Sequence, residues 1–425
     1  MAAQPQTAGI LTFEEARHVV EEHASGVQPH GRELLSILDA LGRVLAEPIQ
    51  ADRDFPPFPR ATRDGYALRS AELAKIPAEL KIVGEIKAGG SNSIAPLQSG
   101  EAVSIMTGAP VPDGADAVVM VEHTSRSGDR VKITRSIGRG ENIVPAGAEA
   151  RRGERLLSPG TRIGYAEVAL TASVGRSRVL VYSKPRIAIL STGDEVVDID
   201  LPPEPNQIRN SNGYSLAAQI KNAGAEPVLL PIAPDEPARL RELIHEGLEC
   251  DLLLLSGGVS MGKYDLVEQA LTETNAEFFF TGAHIQPGKP IVFGRVPCEA
   301  GSCGADTPVR ERAGKYFFGL PGNPISTMVT FELFVTPVVE ALSGTQVRKL
   351  VFTHAKLKSE IRTKTGLKRF LPAILSGEFE KAEVELVRWQ GSGDIVSLAR
   401  SNCFLVIPPD RERLEPGEWV PVLLR

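Results

Sequence analysis

Aromatic side chains are scarce in this chain: 15 Phe, 6 Tyr and 2 Trp make up 5% of its 425 residues, against 42% hydrophobic overall. Aliphatic side chains must therefore fill most of the core. Cysteine is rarer still, with four residues, at 250, 298, 303 and 403. That scatter excludes a disulfide framework and paired Cys-x-x-Cys zinc ligands. Cys298 and Cys303 could clip their own Gly-rich loop, but two free thiols is the favoured reading. The seven histidines show neither His-Glu-x-x-His spacing nor Ser-His-Asp logic, so zinc and histidine acid–base catalysis have little support. No charge dominates: 47 Lys and Arg face 53 Asp and Glu, a net of -6. The chain therefore has no general attraction for nucleic acid or an anionic membrane, and any anionic ligand must be held by local groups. No stretch of about 18 or more apolar residues is found, and the opening MAAQPQTAGILTF lacks a basic region followed by a long apolar one. These absences read as a soluble, cytoplasmic protein with neither nucleic acid nor membrane as partner.

What is present reads as globular and divided. At roughly 100–200 residues per domain, 425 residues imply about two to four modules, and 40 Gly with 32 Pro imply many tight turns. Thr12 with Glu15 is a capping box, and Phe13, Ala16, Val20 and Ala24 keep helical spacing behind it. From 51 to 147 short β-rich runs (LKIVGEI, AVSIM, AVVMV, RVKIT) alternate with Gly, Pro and Asp turns. That segment is expected to be an inserted β-rich subdomain. Residues 10–50 and 148–182 flank it as an N-terminal helical linking subdomain. From 183 to 342 buried strands alternate with amphipathic helices, which predicts a central α/β domain with a parallel-type sheet. Within it, PCEAGSCGADTPVRERAG reads as a long exposed loop. Residues 343–425 return to short β runs, a C-terminal β-barrel-like subdomain. The fold class is therefore α/β and β, multidomain.

Ligands of open parallel sheets bind beyond the carboxyl ends of the strands. Here those ends carry Ser191-Thr192-Gly193-Asp194-Glu195, Pro234-Asp235-Glu236, Ser256-Gly257-Gly258-Val259-Ser260 running on to Asp265, and Leu320-Pro321-Gly322-Asn323-Pro324-Ile325-Ser326. Taken singly, each Gly serves a turn and each Asp or Ser caps a helix. Taken together, glycines that admit phosphate oxygens and helix N-termini that favour anions point to a phosphorylated ligand. Carboxylates beside an anion are costly unless a divalent metal bridges them, so magnesium is the natural candidate. Gly257 with Gly262-Lys263 has the spacing of a phosphate-binding P-loop. Tyr264 stands where that loop needs Ser or Thr on magnesium, which speaks against P-loop nucleotide hydrolysis and makes Asp265 the expected ligand there. Gln286-Pro287-Gly288-Lys289-Pro290 offers one lysine between prolines. Alone it is a rigid turn; beside phosphate loops it is an oxyanion-binding point charge.

As a set, RDGYA at 63–67, MTGAPVP at 106–112, STGDEV at 191–196, NSN at 210–212, SGGVSMGKYD at 256–265, QPGKP at 286–290, GLPGNPIS at 319–326 and GSGDIVSLARSN at 391–402 resemble, in order, the molybdopterin molybdenumtransferases. That family is similar to the C-terminal domain of gephyrin. The resemblance covers nearly the whole chain. It implies an elongated homodimer, with an active site shared between protomers, that inserts molybdate into adenylylated molybdopterin with magnesium and releases AMP. It also implies an adenylyltransferase-type donor and molybdoenzymes or their chaperones as acceptors. Carried over by motif, Asp64, Glu195, Asp265 and Lys289 take catalytic roles, with Asp265 and Glu195 on the metal and Asp235 a further acid. Substrate and molybdate contacts fall on Thr107, Gly193, Asp194, Asn210, Ser211, Ser256, Gly257, Gly258, Ser260, Gly288 and Pro290. Further contacts fall on Pro321, Gly322, Asn323, Pro324, Ser326, Arg369 and Ser392.

The chain departs from the family pattern in three places. Val144-Pro145 and Gly147-Ala148-Glu149 stand where Arg and then Asp are usual, which leaves Glu149 as the carboxylate and the arginine role unfilled. Asn210 replaces an acid common before Ser-Asn and is assigned hydrogen bonding. Pro372 replaces a common arginine, with Arg369 as its neighbouring substitute. Two other functions compete: a gephyrin-like scaffold, for which the extra N-terminal domain and long linker are lacking, and a molybdopterin adenylyltransferase, against which the flanking β modules speak.

Overall fold

A computed structural model of the protein describes residues 9–89, 95–257, 266–297 and 314–425. The chain forms two compact units: one of Leu35–Leu41 and Glu47–Val179, the other of Met1–Leu34, Gly42–Ala46 and Leu180–Arg425. The larger unit opens with helix α1, Phe13–Ser25. The Glu15 amide donates to Thr12 Oγ1 at 3.2 Å and the Thr12 amide donates to Glu15 Oε2 at 2.9 Å, closing the box that the spacing predicts.

The smaller unit is built on a six-stranded sheet of β1 (Gly65–Leu68), β2 (Ala78–Ile86), β3 (Glu101–Ile105), β4 (Ala117–Met120), β5 (Thr124–Ser127) and β6 (Arg130–Ile133), ordered β4-β1-β3-β2-β6-β5. Only β2 and β3 pair in parallel. Its core is aliphatic, as composition predicts: Leu68, Val103, Val119, Val131 and Ile133 are buried, with Tyr66 the one aromatic among them. Helix α2, Tyr165–Ser173, follows, with the Gly164 amide donating to Glu167.

The larger unit carries a second six-stranded sheet: β7 (Arg186–Ser191), β8 (Glu226–Leu229), β9 (Leu252–Ser256), β10 (Glu277–Phe280), then β12 (Val292–Val296) and β13 (Lys315–Leu320), with the short strand β11 (Ile285–Gln286) outside it. Its order is β8-β7-β9-β13-β12-β10. The first four strands are parallel, joined by α3 (Ser211–Ala223), α4 (Pro237–Leu248) and a crossover holding α5 (Leu266–Glu273). The expected parallel sheet is thus extended by two antiparallel strands, because β12 pairs antiparallel with β13 and carries β10 on its far edge. The loop predicted between β12 and β13, with Cys298 and Cys303, lies outside the described residues; Cys250 and Cys403 are buried free thiols.

Helix α6, Pro324–Leu342, runs through the core of this unit. Although long and apolar enough to span a bilayer, it is mostly buried within the fold. It is α-helical over Pro324–Thr330 and Thr336–Leu342 with a π turn, Phe331–Val335, between. Pro337 has no N–H for the Leu333 carbonyl one turn back, and the Arg17 guanidinium of α1 donates to that oxygen instead. Phe13 lies edge-on to Phe334 at 5.9 Å, so α1 is docked by both a ring contact and a charge-assisted bond. The scarce aromatics are concentrated here: Phe280, Phe293, Phe317, Phe318, Phe331, Phe334, Phe370 and Phe404 are fully buried, with Phe293 stacked on Phe318 at 4.5 Å.

After α6 come β14 (Phe352–Leu357), β15 (Lys368–Ser376), β16 (Glu383–Leu386), helix α7 (Ile395–Arg400), β17 (Cys403–Ile407) and β18 (Trp419–Leu424). The five strands close into a ring, β15-β16-β14-β18-β17 and back to β15. The C-terminal module is therefore a small barrel without free edges. Strand β11 adds to it in parallel, pairing Ile285 with Lys368 and Gln286 with Arg369.

Candidate functional site

That pairing builds the pocket. Strand β11 delivers Pro287-Gly288-Lys289-Pro290 beside the barrel, and β13 ends in Pro321-Gly322-Asn323 at the start of α6. The Ile325 amide donates to the Ser392 carbonyl at 3.0 Å, which fixes the loop before α7 against the same helix. The result is a pocket of about 590 Å³ lined by residues 285–290, Pro321, Asn323, Ser326, Leu367, Trp389, Gly391 and Ser392. The first turn of α6 borders it, and Asn323 caps that helix without a side-chain bond, so its end favours negative charge.

Two cations, one lining this pocket and one just behind its wall at Gln286, have no carboxylate partner among the described residues. Lys289 lines it directly. Arg369 is only 6% exposed, and its guanidinium donates to neutral oxygens, Gln286 Oε1 at 2.8 Å and the Leu367 carbonyl at 3.1 Å. Burial without a counter-ion lowers its pKa. A buried guanidinium so arranged leaves its positive field for an incoming anion.

The strand ends beside the pocket form a second, acidic cluster. The registers align Ser191, Ser256 and Leu320 across β7, β9 and β13, so the three loops emerge side by side. Asn212 Nδ2 bridges them, donating to Ser256 Oγ at 3.0 Å and to the Gly322 carbonyl at 2.7 Å. The Asp235 amide donates to Asp194 Oδ1 at 3.0 Å. Desolvation raises the Asp235 carboxyl above the usual range, and the nearby charges of Asp194 and Glu195 raise it further. At Gly193, φ is +125° and a Cβ would lie 2.5 Å from Glu195 Oε2, so only glycine lets that carboxylate fold back over its loop. Asn210 caps α3, accepting from the Gly213 amide and from Ser191 Oγ, and Ser211 is the first residue of that helix. Thr192 Oγ1 and Asn212 Oδ1 are buried without a hydrogen-bond partner, leaving polar capacity unused at the sheet's end.

Gly258, Ser260 and Asp265 lie outside the described residues. Among the described residues no three acidic, His or Cys side chains gather tightly enough to hold a metal by themselves. Magnesium takes one or two carboxylates and completes its shell with water and phosphate oxygens. Glu195 would supply one such carboxylate on those terms, and Asp194 and Asp235 add negative field beside it, the charges of Asp194 and Glu195 raising the Asp235 carboxyl.

In the smaller unit the pairing of Gly65 with Ile105 brings the residues flanking those strands together. Asp64 Oδ1 accepts from the Thr107 amide at 2.6 Å and from Thr107 Oγ1 at 2.8 Å, and these bonds lower its pKa. Glu149 is ion-paired with Arg60 at 2.6 Å.

The larger unit thus gathers Gly288, Lys289, Pro290, Pro321, Asn323, Ser326 and Ser392 around one pocket, with Arg369 behind Gln286. Pro324 begins α6 beside it. Glu195, Asp194, Gly193, Asp235, Asn210, Ser211, Ser256, Gly257 and Gly322 lie at the adjoining strand ends, and Asp64 and Thr107 pair in the other unit. Sequence reasoning missed Ile285, Leu367 and Trp389 as pocket walls, and the bridging role of Asn212. The NSN motif held a signal for Asn212; the other three are assembled by a strand pairing that no local pattern announces.

Three family descriptions match the chain in succession: MoeA N-terminal region (domain I and II) at 11–175, probable molybdopterin binding domain at 188–341, and MoeA C-terminal region (domain IV) at 354–424. A molybdopterin molybdenumtransferase of a Nostoc species is 36% identical over 92% of this chain and 88% of its own length. One from Bacillus subtilis is 33% identical over 92% and 89%. The crystal structure of a molybdopterin biosynthesis moeA protein from Pyrococcus horikoshii superposes with a TM-score of 0.76 at 29% identity, covering 98% of this chain and all of that one.

Proposed function

Because the chain belongs to the molybdopterin molybdenumtransferase family, we propose that it makes molybdenum cofactor by inserting molybdate into adenylylated molybdopterin with release of AMP. The observation that carries this reading is the pocket with two cations that lack carboxylate partners, set beside three acids at the strand ends. One cluster suits an oxyanion and the other a metal-bridged phosphoanhydride.

In this reading Lys289, the Arg369 field, Ser326 and Ser392 hold molybdate, and the start of α6 adds its dipole. Bringing molybdate next to the pterin dithiolene opposes like charges, and the two cations offset that repulsion while fixing the approach. Asp194 and Asp235 shape the acid loop, and Glu195 with Asp265 would hold magnesium. Magnesium, when bound, would spread the charge developing on the departing adenylate. Asp64 and Thr107 act as a pre-formed acceptor–donor pair, with Asp64 kept ionised by its two bonds. The protein works as a homodimer in the cytoplasm, taking adenylylated pterin from an adenylyltransferase-type donor and passing cofactor to molybdoenzymes or their chaperones. Sedimentation of a fully active monomer would overturn the dimer.

The decisive experiment is a single turnover of adenylylated molybdopterin with magnesium, with and without molybdate. AMP release should depend on both. Equal AMP release without molybdate, or ATP turned over to ADP at the rate of pterin processing, would sink the reading.

A further inference from the structure

One ring in the pocket is unused by the chemistry above. Trp389 lies between β16 and α7, is half-buried, and packs against apolar residues of both the barrel core and the main core. It also lines the pocket, where every other wall residue is aliphatic, prolyl, glycyl or polar. An oxyanion gains nothing from the face of an indole, because that face carries the negative end of the ring quadrupole. A flat conjugated heterocycle gains stacking, which tolerates many ring types because each presents a π-face. A volume of about 590 Å³ also exceeds the needs of a small tetrahedral oxyanion and is in the range of sites that hold whole cofactor-sized ligands.

We propose that Trp389 is the specificity residue for the planar half of the substrate, stacking on the pterin ring while Lys289 and Arg369 serve the anionic end of the same pocket. This rests on the insertion reading for the identity of the heterocycle. Indole stacking selects for a planar bicycle and disfavours occupation of the pocket by oxyanions alone. It also fixes the plane of the bound ring relative to Lys289.

The test uses calorimetric titration with a simple pterin, 6-hydroxymethylpterin, which requires no turnover and so separates this proposal from the insertion reading. Trp389→Leu should weaken pterin binding about tenfold or more, and Trp389→Phe should retain most of it. With the full substrate, Trp389→Leu should raise KM for adenylylated molybdopterin by a similar factor while leaving kcat and KM for molybdate near wild type. The chain has two tryptophans, and Trp419 is half exposed on the barrel. The Trp419→Phe protein therefore reports Trp389 alone, and its emission should change on saturation with pterin and stay unchanged with molybdate. Unchanged pterin affinity in Trp389→Leu, equal losses for pterin and molybdate, or no emission change in Trp419→Phe would each overturn the proposal. Should Trp389→Leu fail to fold, the Trp419→Phe titration and Trp389→Phe decide alone.

Discussion

Gly288→Ala tests whether the pocket depends on the close seating of the Pro287–Pro290 turn on α6. Gly288 has φ +104°, and a Cβ there would stand 2.4 Å from Thr330 Cγ2 and 3.4 Å from Ile285 Cδ1. Ordinary carbon contacts lie near 3.5–4.0 Å, so the turn or the helix must move by about 1 Å. The backbone strain is worth about 1–3 kcal/mol and the overpacking about 1–3 kcal/mol, a large share of an ordinary domain's stability. Thr330 is fully buried and its hydroxyl donates to the Ser326 carbonyl at 2.8 Å. Thr330→Ser removes the colliding methyl and keeps that bond. In Gly288→Ala/Thr330→Ser the overpacking should be recovered and the strain should remain, giving a coupling energy of about 1–3 kcal/mol in a double-mutant cycle. Denaturant titrations of the four proteins measure this, and molybdate-dependent AMP release should fall in the single variant and recover partly in the double. Gly288→Ala as stable as wild type, or two effects that simply add, would refute the collision and with it the idea that α6 sets the position of Lys289.

Lys289→Ala should raise KM for molybdate about tenfold or more, the scale of a lost charge-assisted bond, with a much smaller change in pterin affinity by calorimetry. Thr107→Val removes one of the two bonds that hold the Asp64 carboxyl low. A depressed carboxylate loses its contribution as pH falls through the folded-state value, so the acid limb of the activity profile should move to higher pH; an unmoved limb would show that Asp64 does not govern it. Asp235 has the opposite sign: its carboxyl is raised by desolvation and by Asp194 and Glu195, so its relative contribution is present at low pH and lost as pH rises through the folded-state value. Asp235→Asn should raise the metal-free Tm at neutral pH and shrink the further rise on adding magnesium, and an identical magnesium response in both proteins would contradict that.

How much of this was legible depends on the range of the interaction. The Thr12–Glu15 box and the β-α alternation from Arg186 are local patterns and read directly from the chain. The C-terminal module was expected to be barrel-like, although which strands close it, β15 on β17, was not legible. The π turn in α6 needs Pro337, Leu333 and an arginine from α1 more than 300 residues away, so periodicity alone shows one long helix. Composition suggested an aliphatic core throughout. The structure keeps that in the smaller unit and gathers the phenylalanines in the larger, where bulky rings fill the space around a long buried helix. Ser191, Ser256 and Pro321 come side by side because each sits at or next to a strand end, whereas Ile285, Leu367 and Trp389 became walls through the pairing of β11 with β15.

That pairing also explains how one unit can serve two opposite electrostatic demands. Carboxylates at 194, 195 and 235 repel phosphate and oxyanion alike, and cations at 289 and 369 would neutralise them if the two sets met. The Pro321–Asn323 loop stands between: Gly322 is bonded to Asn212 on the acid side, while Pro321 and Asn323 line the pocket on the cation side. The cations therefore keep their charge for the ligand, since among the described residues neither is paired with an acid. Arg369 retains its charge at a real desolvation penalty, which neutral acceptors such as Gln286 offset only in part. A fold selected for stability alone would place an apolar residue there or supply a carboxylate. The preservation of an uncompensated guanidinium behind Gln286 is thus an argument from energetics for anion binding, independent of the motif that first drew attention to the loop.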